Sequence, residues 1–83
     1  MIIVSQDNNT LVNFDNVVGI YIENPLENNN GNFRIVVETY TAEYNIGEYK
    51  TEERAREVLH LIMFEYSRLS NDNKFKVCIM PEE

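Results

Sequence analysis

The sequence predicts an α+β domain: a mostly antiparallel β-sheet of about five or six short strands, arranged as a meander of hairpins and packed against one long α-helix, with a further strand after the helix. Three observations predict it. Thr51 to Leu69, TEERAREVLHLIMFEYSRL, is the one segment both long and periodic enough for a helix of several turns. Short runs rich in β-branched and aromatic residues fill the chain before it, and one such run follows it. The links between the early runs are too short for crossovers, so neighbouring strands should meet as hairpins.

The helix is justified by spacing. Ala55, Val58, Leu59, Ile62, Tyr66 and Leu69 recur at helical intervals and share one side of a 3.6-residue spiral, the expected core face. Thr51 is a natural N-cap, because its hydroxyl can accept from an otherwise unpaired first-turn amide, and Glu52 and Glu53 set negative charge against the positive helix end. Glu52 with Arg56 and Glu65 with Arg68 supply surface pairs worth only about 0.2–0.5 kcal/mol each, so packing must carry the helix. Leu61, Met63 and Phe64 lie off the core stripe and make the C-terminal half apolar almost all round. They require cover from the strand that follows or from a second subunit.

Taken in order, Met1 to Ser5 is a β-rich run, and the turn formers Gln6-Asp7-Asn8-Asn9 send it back into Thr10 to Phe14 as a hairpin. Asp15-Asn16 interrupts. Val17 to Glu23 then reads as a central strand, with Val18, Ile20 and Ile22 on one face and Val17, Gly19 and Tyr21 on the other. Residues 24–32, NPLENNNGN, carry Pro25, Gly31 and a run of asparagines, and are expected to form a mobile loop. Phe33 to Thr41 alternates Phe33, Ile35, Val37 and Thr39 against Arg34, Val36, Glu38 and Tyr40, so one face should be buried and the other half wet. Ala42-Glu43 turns the chain into Tyr44 to Tyr49, where Gly47 marks a bulge or a close helix contact. After the helix, Ser70-Asn71-Asp72-Asn73 breaks the periodicity, and Lys74 to Met80 alternates again as a terminal strand that Pro81 ends.

Length and composition set the remaining bounds. Eighty-three residues with 43% hydrophobic content suffice for one domain, 1–83, built as a β-meander over 1–49, the helix over 51–69 and the terminal strand over 74–80. No apolar run approaches the ~18 residues of a membrane span. Met1-Ile2-Ile3-Val4 lacks the basic flank and length of a signal peptide, and Cys78 is the lone cysteine, so the expected compartment is the reducing cytoplasm. Fourteen acidic against seven basic side chains give a net charge of -7, which argues against direct nucleic-acid binding, since phosphates call for clustered Lys and Arg. An acidic surface serves solubility, and it can also dock into the nucleic-acid groove of another protein.

The pieces Ile2-Ile3-Val4-Ser5-Gln6-Asp7, Val12-Asn13-Phe14-Asp15-Asn16-Val17, Gly47-Glu48-Tyr49-Lys50-Thr51-Glu52-Glu53-Arg54-Ala55 and Met80-Pro81-Glu82 resemble a group of small proteins of phages and prophages of low-GC Gram-positive bacteria. The resemblance touches both ends and the middle of the chain. The chain departs from the group in its longer Asn-rich loop and at Cys78, where an aromatic residue is expected. No catalytic motif carries over. The resemblance implies a genetic setting, and with it a small inhibitory or sequestering protein acting on a host system.

The motif search excludes most familiar chemistry. Gly19, Gly31 and Gly47 stand apart from one another, so there is no glycine-rich phosphate loop, and CxxC, HExxH and EF-hand spacings are lacking; no cofactor or metal is expected. His60 falls on a polar flank of the helix and reads as a surface residue, and Cys78 reads as a space-filling side chain beside Met80. A Cys-His nucleophile would need these two to meet. Asp7 with Asp15 and Glu38 with Glu48 are carboxylate pairs of the sort any acidic sheet provides. The expectation is therefore a non-catalytic interaction protein.

Tyr21, Arg34, Tyr40 and Tyr49 fall on strand positions opposite the core face, and Tyr and Arg are enriched among residues that carry binding energy. Together with Leu61, Met63 and Phe64 they form the candidate interface, with a homodimer as the expected partner and a host protein as a further one. Glu38, Glu43 and Glu48 form the candidate acidic docking face. The alternative function is a phage-encoded inhibitor of a host defence system, either an acidic nuclease blocker of the anti-CRISPR kind or a protein sequestering a nucleotide signal between subunits, the latter needing Arg34 or another cation.

Overall fold

The alternating and continuous apolar runs of the chain form six short strands, and the periodic segment forms one long helix. The structure, a computed structural model, describes residues 1–28, 31–68 and 76–83. In order these are β1 (Ile2–Val4), β2 (Leu11–Asn13), a 3-10 turn (Phe14–Asn16), β3 (Val17–Glu23), a single helical turn α1 (Pro25–Asn28), β4 (Phe33–Thr39), β5 (Glu43–Tyr49), α2 (Glu52–Ser67) and β6 (Val77–Ile79). The class is the α+β architecture expected from the sequence, with a strand after the long helix. Leu69, Lys74 and Phe75, the outer ends of the expected helix and terminal strand, lie outside the described residues.

The strands divide into two three-stranded sheets, β2-β1-β6 and β3-β4-β5, where the hairpin pattern suggested one. In the first, β1 pairs antiparallel with β2 and parallel with β6. The parallel pair arises because α2 stands between β5 and β6 in the chain and returns it to β1 from the far side, a connection the short early links did not foreshadow. A backbone bond from the Gln6 amide to the Ile46 carbonyl, 2.8 Å long, ties the end of β1 to β5 and so joins the two sheets at a corner.

The turn behind β1 is closely built. Ser5 is buried and its hydroxyl donates to Asp7 Oδ1 at 2.6 Å while accepting from the Thr10 amide, and the Asn9 amide also donates to Asp7 Oδ1. Asn8 takes the left-handed conformation, φ 62°, that its short side chain tolerates.

Helix α2 starts as the sequence indicates, with Thr51 Oγ1 accepting from the Arg54 amide at 3.1 Å. It buries Ala55, Val58 and Ile62 against a core made by Met1, Ile3, Val12, Ile35, Val37, Ile46, Tyr49, Cys78 and Met80. Leu59 is half-buried. Tyr66, placed on the core stripe by spacing, is 44% exposed, and its ring rests against Phe14 with centroids 4.8 Å apart. Glu52 pairs with Arg56 as expected. Glu65 instead pairs with Lys76, just before β6, and Arg68 lies over the Phe64 ring.

Two bulges decide which side chains enter the core. Between Val17 and Gly19 the register of β3 on β4 shifts, so Val18 faces solvent while Val17, Ile20 and Ile22 pack on the core; strict alternation put Val18 inside. In the β4–β5 pair Ile35 opposes Gly47 and Val36 opposes Asn45, leaving Ile46 as the extra residue. Beyond this bulge Tyr49 turns inward and is 2% exposed, which corrects its expected place on the outer face.

Gly47 is the condition for that inward turn. A Cβ there would stand 2.9 Å from a Tyr49 ring carbon, 3.1 Å from its hydroxyl and 3.2 Å from the Met80 methyl. The Tyr49 hydroxyl donates to the Pro81 carbonyl at 2.7 Å, and Gln6 Nε2 lies within bonding distance of the Glu48, Pro81 and Glu82 carbonyls while Gln6 Oε1 accepts from the Glu48 amide. Replacing Gly47 with Ala is therefore expected to destabilise the fold by about 1–3 kcal/mol, the usual cost of overpacking a close-packed site. Urea unfolding followed by tyrosine fluorescence or circular dichroism measures this as a lowered midpoint at unchanged slope.

Candidate functional site

The outer face of β3-β4-β5 holds most of the residues singled out from the sequence. Tyr21 sits opposite Val36 and Glu23 opposite Arg34, which in turn opposes Glu48. Arg34 is thus flanked in register by two carboxylates. Its Nε donates to Glu48 Oε1 at 2.9 Å, its Nη1 stands 3.7 Å from Glu23, and Asn45 Nδ2 donates to the same Glu48 oxygen at 3.2 Å. An incoming anion would meet a guanidinium already held by two negative groups.

The acidic face is thereby split. Glu48 belongs to the Arg34 cluster, whereas Glu38 and Glu43 are direct cross-strand partners of like charge, with Glu38 lying over Gly19. Like charges so placed repel. Glu38 and Glu48, read as a possible carboxylate pair, therefore take different partners. Tyr40 stands 89% exposed at the tip of the β4–β5 turn, where Thr39 Oγ1 donates to the Ala42 carbonyl and accepts from the Ala42 amide.

On the helix, Leu61, Met63 and Phe64 are 38%, 56% and 56% exposed, so residues 77–79 do not cover them. His60 is exposed on the side of α2 away from the Ala55-Val58-Ile62 stripe, and Cys78 is buried within the core, so the helix separates the two groups. Burial, with Glu65 nearby, pushes the Cys78 thiol up from its ordinary range, which disfavours the reactive thiolate. Tyr49 is pushed up to about 12, chiefly by burial, in keeping with a phenol that serves as a hydrogen-bond donor. No group of three or more His, Cys, Asp and Glu side chains able to hold a metal occurs among the described residues. No described helix is long and apolar enough to cross a membrane.

Sequence reasoning missed the outer face of the β2-β1-β6 sheet. Register places Leu11, Val4 and Ile79 in one row and Asn13, Ile2 and Val77 in the next, all on the side away from Ile3, Val12 and Cys78. Leu11, Val77 and Ile79 are 70%, 55% and 65% exposed, and Ile2 and Val4 are half-buried. The signal was available in Ile2-Ile3-Val4 and Val77-Cys78-Ile79, which are continuously apolar where a half-wet strand alternates. Leu11 also lines a groove of about 480 Å³ with Asn13, Asn16, Thr39, Tyr40 and Tyr44, so an uncharged surface of mixed polar and aromatic side chains runs from this face to the Tyr40 turn. A second cleft, about 440 Å³, opens at the head of α2 and is lined by residues of both signs; there Arg54 Nε donates to the Glu83 carbonyl and Nη1 pairs with Glu57.

No protein-family model, curated protein or solved structure matches this chain.

The Glu65–Lys76 pair produces a pH dependence. The hydrogen bond from Lys76 holds the Glu65 carboxyl below its ordinary 4.5 in the folded state. Its stabilisation is therefore complete above that value and is lost as pH falls through the lower folded value. Wild type should lose stability on acidification across this range, and Lys76→Met should lose less; urea midpoints taken from pH 6 down to pH 3 check the difference.

Proposed function

We propose that the protein is a non-catalytic interaction protein that works as a homodimer, a small phage- or prophage-type protein in keeping with its sequence resemblance. The observation that carries this reading is the quantity of large apolar side chains left exposed on regular elements: Leu11, Val77 and Ile79 on one sheet, and Leu61, Met63 and Phe64 on α2. Exposed apolar side chains gathered on ordered secondary structure mark interaction surfaces, whereas single scattered ones do not. The separation of His60 from Cys78 supports a binding role over nucleophilic catalysis. Light scattering at tens of micromolar chain is expected to return twice the 9.8 kDa chain mass. A strictly monomeric mass would sink the reading.

Of the two inhibitor mechanisms, acidic docking onto a host protein has the better support. Glu38 and Glu43 concentrate like charge at one place on an ordered sheet, while Arg34, the cation named for a nucleotide-sequestering site, is already held by Glu48 and Glu23. Binding of this kind is screened by salt. A partner captured from host lysate at low salt should be released on raising the salt to about 0.5 M and should no longer bind the Glu38→Gln/Glu43→Gln double variant; retention under both conditions rejects acidic docking.

A further inference from the structure

Resting on the self-association reading, we infer that two copies meet through the outer face of the β2-β1-β6 sheet, with Val4, Leu11 and Ile79 at the centre of contact, and not through the Tyr21–Arg34 face or the Leu61–Phe64 flank of α2. Three observations converge on this face. The first is the pattern of the strands themselves. β1 reads Ile2-Ile3-Val4 and β6 reads Val77-Cys78-Ile79, so both carry apolar side chains up and down. Ile3 and Cys78 meet this chain's own core, whereas Ile2, Val4, Val77 and Ile79 face away from it. Strands that are apolar on both sides are strands covered on both sides. The outer face of β3-β4-β5 instead carries Glu23, Arg34, Glu38 and Glu48 around a Val36 that is already covered, at 5% exposed.

Charge selects the occupant. Each chain carries a net -7, so two copies repel wherever their acidic surfaces approach. The rows Leu11-Val4-Ile79 and Asn13-Ile2-Val77 contain no charged residue, and neither does the adjoining groove at Tyr40 and Tyr44. A second copy can cover this surface without setting carboxylate against carboxylate. The α2 flank does not offer that, because Glu57, His60, Glu65 and Arg68 are interleaved with its apolar side chains.

Area agrees. The exposed parts of Leu11, Val77 and Ile79, extended through the groove to Tyr40 and Tyr44, amount to on the order of 600 Å² per chain, against about 800 Å² per partner in a standard interface and a floor near 1,000 Å² for both together. A two-fold dimer sets identical patches of the two copies against each other. The same apolar patch on each copy packs against its mate as one sheet face on another, at about 10 Å separation.

The experiment compares sedimentation velocity of the full chain with three variants at exposed positions, Leu11→Glu, Ile79→Glu and Met63→Glu, each checked for cooperative unfolding by circular dichroism. Because a two-fold contact introduces every new charge twice, Leu11→Glu and Ile79→Glu should each raise the dimer dissociation constant about a hundredfold or more, with Met63→Glu near wild type. Leu11→Glu and Ile79→Glu variants that remain folded and dimeric overturn the assignment of this face while leaving self-association intact. Dissociation by Met63→Glu alone overturns it in favour of the helix flank. A wild type that is monomeric throughout overturns both self-association and this face as its interface, and leaves the face to a different protein.

Discussion

The bulge at Ile46-Gly47 is the constraint on which the remainder of the molecule depends. Because two residues of β5 stand against one of β4, Ile46 and Tyr49 both enter the core, and the space Tyr49 needs exists because residue 47 has no Cβ. The consequences spread outward from there. The Ile46 carbonyl at the bulge accepts from the Gln6 amide and so joins the two sheets. The Tyr49 hydroxyl and the Gln6 carboxamide between them satisfy the Glu48, Pro81 and Glu82 carbonyls, which hold the stretch after β6 against β5. With that stretch held, Met80 is buried against Gly47 and β6 is set in register beside β1. Each of these hydrogen bonds contributes only about 0.5–1.5 kcal/mol. Gathered around one glycine, they specify a single arrangement of the corner.

This arrangement partitions the surface. The β3-β4-β5 sheet turns its polar side outward, where Arg34 is gripped by Glu23 and Glu48 and where Glu38 and Glu43 are left side by side. Among the described residues, the β2-β1-β6 sheet turns outward strand positions that carry no charged side chain. In a chain so acidic, an uncharged face is a surface on which a like-charged copy meets little repulsion. The ion pairs along α2 are surface features worth little each. The Glu65–Lys76 pair, with both side chains mostly covered, has a different role: it links the last turns of the helix to the residue just before β6.

Much of the fold was legible in the sequence, and for identifiable reasons. The helix was readable because apolar spacing and an N-cap are local, and Thr51, Ala55, Val58 and Ile62 do what their spacing implies. The β1–β2 and β4–β5 hairpins were readable because turn formers sit between β-rich runs. Gly47 could be suspected of marking a bulge, since glycine inside a strand has few other uses. What failed was parity. One extra residue in a strand exchanges its faces beyond that point, so Val17 and Val18 changed places and Tyr49 moved from the candidate interface into the core. Of the remaining candidate residues, Tyr40 is exposed as its place opposite the core face implied, Leu61, Met63 and Phe64 are exposed where the sequence left their cover open between the following strand and a second subunit, and Arg34 and Glu48 are joined in one ion pair and so do not act separately.

By itself, the sequence determined the class, the long helix and its cap, the short strands and the acidic character, because each follows from composition, periodicity or contact between near neighbours in the chain. Only the tertiary structure decided that the strands form two sheets, that β6 lies parallel to β1, that two bulges redirect the side chains beyond them, and that Arg34 is shared by carboxylates from two other strands. Those outcomes rest on pairing between residues distant in sequence, and pairing register is chosen by how the whole core closes, which no local pattern records.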